Sequence, residues 1–165
     1  MKKIVFLIAS LTATPGFALE ECLLGAWQVD TDALAQVLAG QLNASAAYVD
    51  GDAFMEIGED GAVRMLVSNI VMKVQMAGAP EMDVTINGNS HGNITAEGGL
   101  WTIVGGEYTL VGSAFVMGQS MSIPFSSETG MFGGGSGSYI CGDDRLTFDS
   151  DNAAAQMPSQ WVRLP

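Results

Sequence analysis

Apolar and polar residues alternate along most of this chain, and a two-residue period is the signature of a half-buried β-strand. Met82, Val84 and Ile86 alternate with Asp83, Thr85 and Asn87. Met121, Ile123 and Phe125 alternate with Ser120, Ser122 and Ser126, and Leu146 and Phe148 with Thr147 and Asp149. Turn signals punctuate these runs at Asp60-Gly61, Asn87-Gly88, Gly98-Gly99, Gly105-Gly106 and Gly142-Asp143,. Regularly spaced short strands with glycine turns suggest an antiparallel barrel or sandwich. The expected fold is mainly β: a single antiparallel up-and-down β-barrel of about 8–10 strands.

Two departures from simple alternation refine that expectation. Between Ala62 and Ala77, Val63, Met65 and Val67 share one face, but Ile70, Met72, Val74 and Met76 continue one residue out of phase. A bulge near Ser68 and Asn69 restores the phase and bends the strand, which helps a barrel to close. The other departure is a three- and four-residue spacing at Leu34, Val37, Leu38, Gln41 and Leu42. This predicts one short helix over about 32–43, just after the first strand. Asp30 or Thr31 caps it, Asp32 complements its dipole, and Asn43 stops it.

The chain begins as an export signal does. Lys2 and Lys3 precede the apolar run Ile4–Leu11, and the small residues Pro15, Gly16 and Ala18 follow. Residues 1–18 are therefore expected to be a bacterial secretory signal peptide cut near Ala18, leaving 19–165 as one β-barrel domain in the periplasm or the medium. The run is shorter than the roughly 20 residues that span a bilayer. Glu20 and Glu21 stand where a lipoprotein signal needs small residues before Cys22. The mature chain keeps four basic residues, Arg64, Lys73, Arg145 and Arg163, against 18 acidic ones, a formal charge of −14. Such a chain repels nucleic acid and acidic membranes. Its hydrophobic content of 48% also excludes a disordered acidic tail. Cys22 and Cys141 are the only cysteines, and outside the cytoplasm two cysteines most simply form one disulfide.

Gly25-Ala26-Trp27 heads the first strand, and Arg163 lies near the end of the last. This Gly-x-Trp with a distant arginine resembles the calycin superfamily, which includes the lipocalins, fatty-acid-binding proteins and avidins. The resemblance implies a lipocalin-like barrel in which Gly25, Trp27 and Arg163 frame one end, with the guanidinium packed over the indole. The Thr-Asp-Tyr signature of lipocalins is absent, and the chain has no room for their C-terminal helix. Family members of this kind hold one small ligand or fill their interior.

No catalytic constellation emerges, and no cofactor is implied. His91, the sole histidine, sits in the expected turn Asn87–Gly92, and no Gly-x-Ser-x-Gly elbow accompanies it,. Asp50-Gly51-Asp52 and Asp149-Ser150-Asp151-Asn152 resemble fragments of calcium loops, but neither supplies the 6–8 oxygens calcium takes. Gly130–Ser138 lacks the Lys-Ser/Thr ending of a phosphate loop and reads as a flexible loop. The nine mature methionines suit either an irregular apolar interior or Cu(I) ligation. Alternation nominates Met65, Met72, Met76, Met82, Ile86, Met121 and Phe125 as the wall of a ligand cavity, and Trp101, Tyr108 and Phe115 join them without an assigned facing. The same residues would serve equally as a solid core. The first expectation is thus an exported barrel holding a small hydrophobic molecule non-covalently. The alternatives are a filled, non-catalytic envelope protein with a protein partner, and a periplasmic Cu(I)-binding protein.

Overall fold

The computed structural model describes residues 19–127, 131–151 and 157–165. The expected signal segment and its cut near Ala18 lie outside the described residues. A 3-10 turn at Glu21–Leu23 leads into β1 (Gly25–Val29) and helix α1 (Thr31–Leu42). Long strands follow: β2 (Ser45–Ile57), β3 (Ala62–Gln75), β4 (Met82–Glu97) and β5 (Leu100–Tyr108). The chain continues through β6 (Val111–Val116), β7 (Gln119–Pro124), β8 (Gly135–Cys141), β9 (Arg145–Ser150) and β10 (Gln160–Arg163). Eight of these strands close a barrel in the order β3-β2-β1-β10-β9-β8-β5-β4, with β4 returning to pair with β3. Every pairing is antiparallel. Apart from one insertion, neighbours in space are neighbours in sequence, as in an up-and-down barrel. The insertion is the β6–β7 hairpin, which leaves the barrel wall and pairs with Asp83–Asn87 of β4.

The first half of the chain folds for local reasons visible in its sequence. The Asp30 carboxylate accepts from the amides of Asp32 and Ala33 at 3.1 and 3.0 Å, satisfying two donors that the helix cannot,. Asn43 ends α1 in the left-handed conformation, φ 49°,. Leu34, Val37 and Leu38 are buried in the same apolar cluster as the barrel strands, so α1 covers the end where β1 finishes and β2 begins. The expected bulge in β3 is present. The β3–β4 register shifts between Val67 and Ile70, and Asn69 has φ 48°. Its amide is held by the Asn87 side chain at 2.7 Å. The β2–β3 pairing shifts at the same level, between Tyr48 and Asp52, so the bend crosses adjacent strands.

Three expected turns and one expected loop are something else. Asn87-Gly88 and the segment through Gly92 lie inside the 16-residue strand β4. Gly88 is needed for close approach rather than for reversal: a Cβ there would lie 2.5 Å from the Thr109 carbonyl oxygen. Gly105-Gly106 lies inside β5 at a register irregularity, where Gly106 and Glu107 stand opposite the single residue His91 of β4. The Gly130–Ser138 stretch is a loop only in part. Met131 and Phe132 are buried, and β8 begins at Gly135. A Cβ at Gly137 would lie 1.8 Å from the Asp149 carbonyl oxygen, so these glycines let two backbones meet.

Candidate functional site

The interior was the expected site, and four of the side chains expected to line it are closed to water. Met65, Met72, Ile86 and Trp101 point inward and are 2, 0, 0 and 2% exposed. The wall of a ligand cavity stays accessible to a water-sized body, because a ligand is larger than water. The side chains of Met65, Met72 and Ile86 leave no such space beside them. Trp27, Trp161, Phe148, Met55 and Met131, all at most 1% exposed, share the same space. Trp101 and Phe148 meet edge to face with ring centroids 5.2 Å apart, and the Trp101 indole donates to the Ser138 carbonyl at 3.0 Å. Met82, Tyr108 and Phe125 are half-buried around this core. Three expected wall residues are at the surface, Phe115 among them at 62% exposed. Met76 lies beyond the end of β3, and Met121 is 59% exposed because β7 has no strand on its outer side.

Tyr108 pins the segment that closes the barrel beside it. Its hydroxyl donates to the Met131 carbonyl at 2.8 Å, and the buried Ser90 hydroxyl donates to the Phe132 carbonyl at 2.7 Å. Burial pushes the Tyr108 phenol up to about 12. Tyr139, also buried, is pushed up to about 12 by burial first and by the Glu20 carboxylate second. No hydrogen bond of acceptable geometry reaches its hydroxyl.

The framework residues Gly25, Trp27 and Arg163 come together at one end of the barrel. Trp27 pairs with Arg163 across β1 and β10, and the guanidinium carbon sits 4.1 Å from the centre of the indole. Arg163 also donates to the carbonyls of Leu24 and Cys22, each at 2.6 Å, and to that of Asp143 at 2.7 Å. The Trp27 indole donates to Leu23 at 3.0 Å. Gly25 leaves the space this requires, since a Cβ there would meet the guanidinium at 3.0 Å. Cys22 and Cys141 form a disulfide over the same end, with Cα atoms 5.9 Å apart. These groups hold the entering chain against the barrel floor.

Several surface features remain, among them a groove of about 570 Å³ between α1 and β2 and the exposed Leu100, Val104 and Ile140; two more stand apart. One is an open groove of about 600 Å³ at the disulfide end, between the β2–β3 turn and the β4–β5 hairpin. Glu59, Asp60 and Glu97 line its rim, and Leu19, Leu100 and Trp101 its floor and wall. The other is the β6–β7 hairpin. Val111, Phe115, Met117 and Met121 are 60, 62, 92 and 59% exposed. One row of paired residues runs from Tyr48 through Met72, Val84 and Ala114 to Met121. The row starts in the core and ends in solvent. The sequence held a usable signal for this surface: no charged residue stands between Glu107 and Glu128, the longest uncharged run in a chain rich in carboxylates.

His91 is exposed on β4 opposite Arg64. Among the described residues, no group of three His, Cys, Asp or Glu side chains could hold a metal ion. No described helix is long and apolar enough to cross a membrane. Compared with protein-family models, curated proteins and solved structures, the chain matches none.

Proposed function

We propose that this is an exported, non-catalytic interaction protein: a solid barrel that carries an uncharged apolar hairpin as its contact surface. The observation that carries this reading is the β6–β7 hairpin, which stands outside the barrel and exposes Phe115, Met117 and Met121. Exposed apolar patches of this kind mark interaction surfaces, and large apolar and aromatic side chains supply most of the energy at such contacts. The Cys22–Cys141 disulfide supports an oxidising compartment,. The Trp27–Arg163 frame supports a relationship to the calycins.

The ligand-holding reading keeps one supporting observation, the groove at the disulfide end. A ligand there would lie against the barrel rather than within it. The Cu(I) reading gains nothing from Met55, Met65 and Met72, whose thioethers are enclosed by hydrocarbon and act as filler. The test is a photo-crosslinking residue in place of Met117, introduced in the native host, with the same residue in place of Leu100 as comparison. Capture of a protein from position 117 and not from 100 is the expected result. No capture from position 117, with a small molecule bound near position 100, would replace this reading with the groove.

A further inference from the structure

We infer that the partner of the hairpin is a second copy of this chain, joined by antiparallel pairing of β7 with β7. This rests on the interaction reading above and names the occupant of that surface. Closing a barrel removes free strand edges, but the inserted hairpin restores one, because β7 ends the strand order. Natural proteins guard such edges with charges, bulges or proline. Strand β7 reads Gln-Ser-Met-Ser-Ile-Pro and has only the terminal Pro124. Two copies of residues 19–165, each with 18 acidic against four basic side chains, repel one another over most of their surfaces,. The uncharged run 108–127 is where that repulsion is weakest.

The register fixes which groups face outward. Met117 and Gly118 form a two-residue loop with φ 51° and 85°, the primed turn of tight hairpins. Val116 and Gln119 close it as a hydrogen-bonded pair, and bonded and non-bonded pairs alternate from there. Pro124 opposite Val111 then falls in a non-bonded position, as a residue without an N–H must. The peptide groups of Ser120 and Ser122 therefore point away from β6. A two-fold axis through Ser122 would set it opposite Ser122 of the second copy, exchanging two bonds. Ser120 would donate to Pro124 of the second copy, and the reverse, adding two more. On the core side, Met121 would lie beside Ile123 of the second copy, extending the row that now ends in solvent. An isologous contact of this kind closes on itself rather than growing into a fibre.

The test is the mass of the intact, oxidised mature protein by light scattering across a concentration series, with Ser122→Pro and Ser122→Thr variants beside it. Proline removes the outward N–H and spares every bond to β6; threonine keeps it. The wild type and Ser122→Thr are expected to dimerise, and Ser122→Pro to associate about tenfold more weakly or worse. Unchanged melting of Ser122→Pro would show that its fold is intact. If it is not, Ser120→Pro, which removes the flanking donor, is read instead. A dimer that survives both proline variants but is lost in Phe115→Lys would overturn edge pairing and keep the hairpin as a contact surface. A wild type that stays monomeric, while position 117 crosslinks a different protein, would overturn the second copy alone. A monomer with no crosslink from position 117 would overturn the interaction reading as well.

Discussion

Four separate interactions meet on Trp27 at the closed end of the barrel. It is fully buried, pairs with β10, bonds the 3-10 turn and lies under Arg163. Trp27→Ala leaves a cavity and frees the arginine, and is expected to lower unfolding stability by about 3–5 kcal/mol. Denaturant melts will read this, and a loss below about 1 kcal/mol would show that the end is closed by other groups. Tyr139 is the opposite case, a buried hydroxyl without a bond. Tyr139→Phe removes an unpaired polar group and is expected to leave stability unchanged or raise it by about 1 kcal/mol. A clear loss would mean that the nearby Glu20 carboxylate accepts from the hydroxyl. The raised values of Tyr108 and Tyr139 also set an alkaline limit. The fold favours the neutral phenols, whereas the unfolded chain ionises near pH 10. Their contribution is therefore complete below pH 10 and falls as pH rises toward 12. Melting curves at pH 9, 10 and 11 should show that decline, and it should be shallower in Tyr139→Phe.

At the scale of elements, the helix and the bulge were legible because each rests on local chemistry. The apolar spacing in 34–42 and the cap at Asp30 specify α1 without help from the rest of the chain. Asp30→Ala is expected to cost about 1 kcal/mol of stability, and an unchanged melting temperature would show that packing alone holds the first turn. The phase slip at Ser68 and Asn69 likewise located the bend in β3. What was not legible depended on contacts distant in sequence. Gly88 and Gly137 read as turn or loop residues, yet each sits within a strand because another backbone passes where a side chain would be. Alternation also could not tell an inward face that meets a filled core from one that ends at an open edge. Met72 and Met121 belong to one row of paired residues, and only the absence of a strand beyond β7 separates their burial.

The whole molecule joins a highly charged exterior to a solid interior, tied once by a bridge spanning 119 residues. A loop of that length constrains the unfolded chain by roughly 4–5 kcal/mol in the chain-entropy account. Reduction should therefore lower the melting temperature markedly, and an unchanged melt would mean that the bridge adds no net stability. The barrel and its framed end were legible as a class, from strand period, glycine turns and the Trp27–Arg163 pair. The exposed hairpin was not, because its exposure follows from its place outside the closed ring. The central claim is that the ring holds side chains instead of a ligand. Native mass spectrometry of the mature protein, taken from its own compartment without detergent, tests it most directly. The account predicts the mass of the oxidised polypeptide, single or paired, with nothing bound. A small apolar molecule that accompanies the folded protein and leaves on unfolding would contradict it.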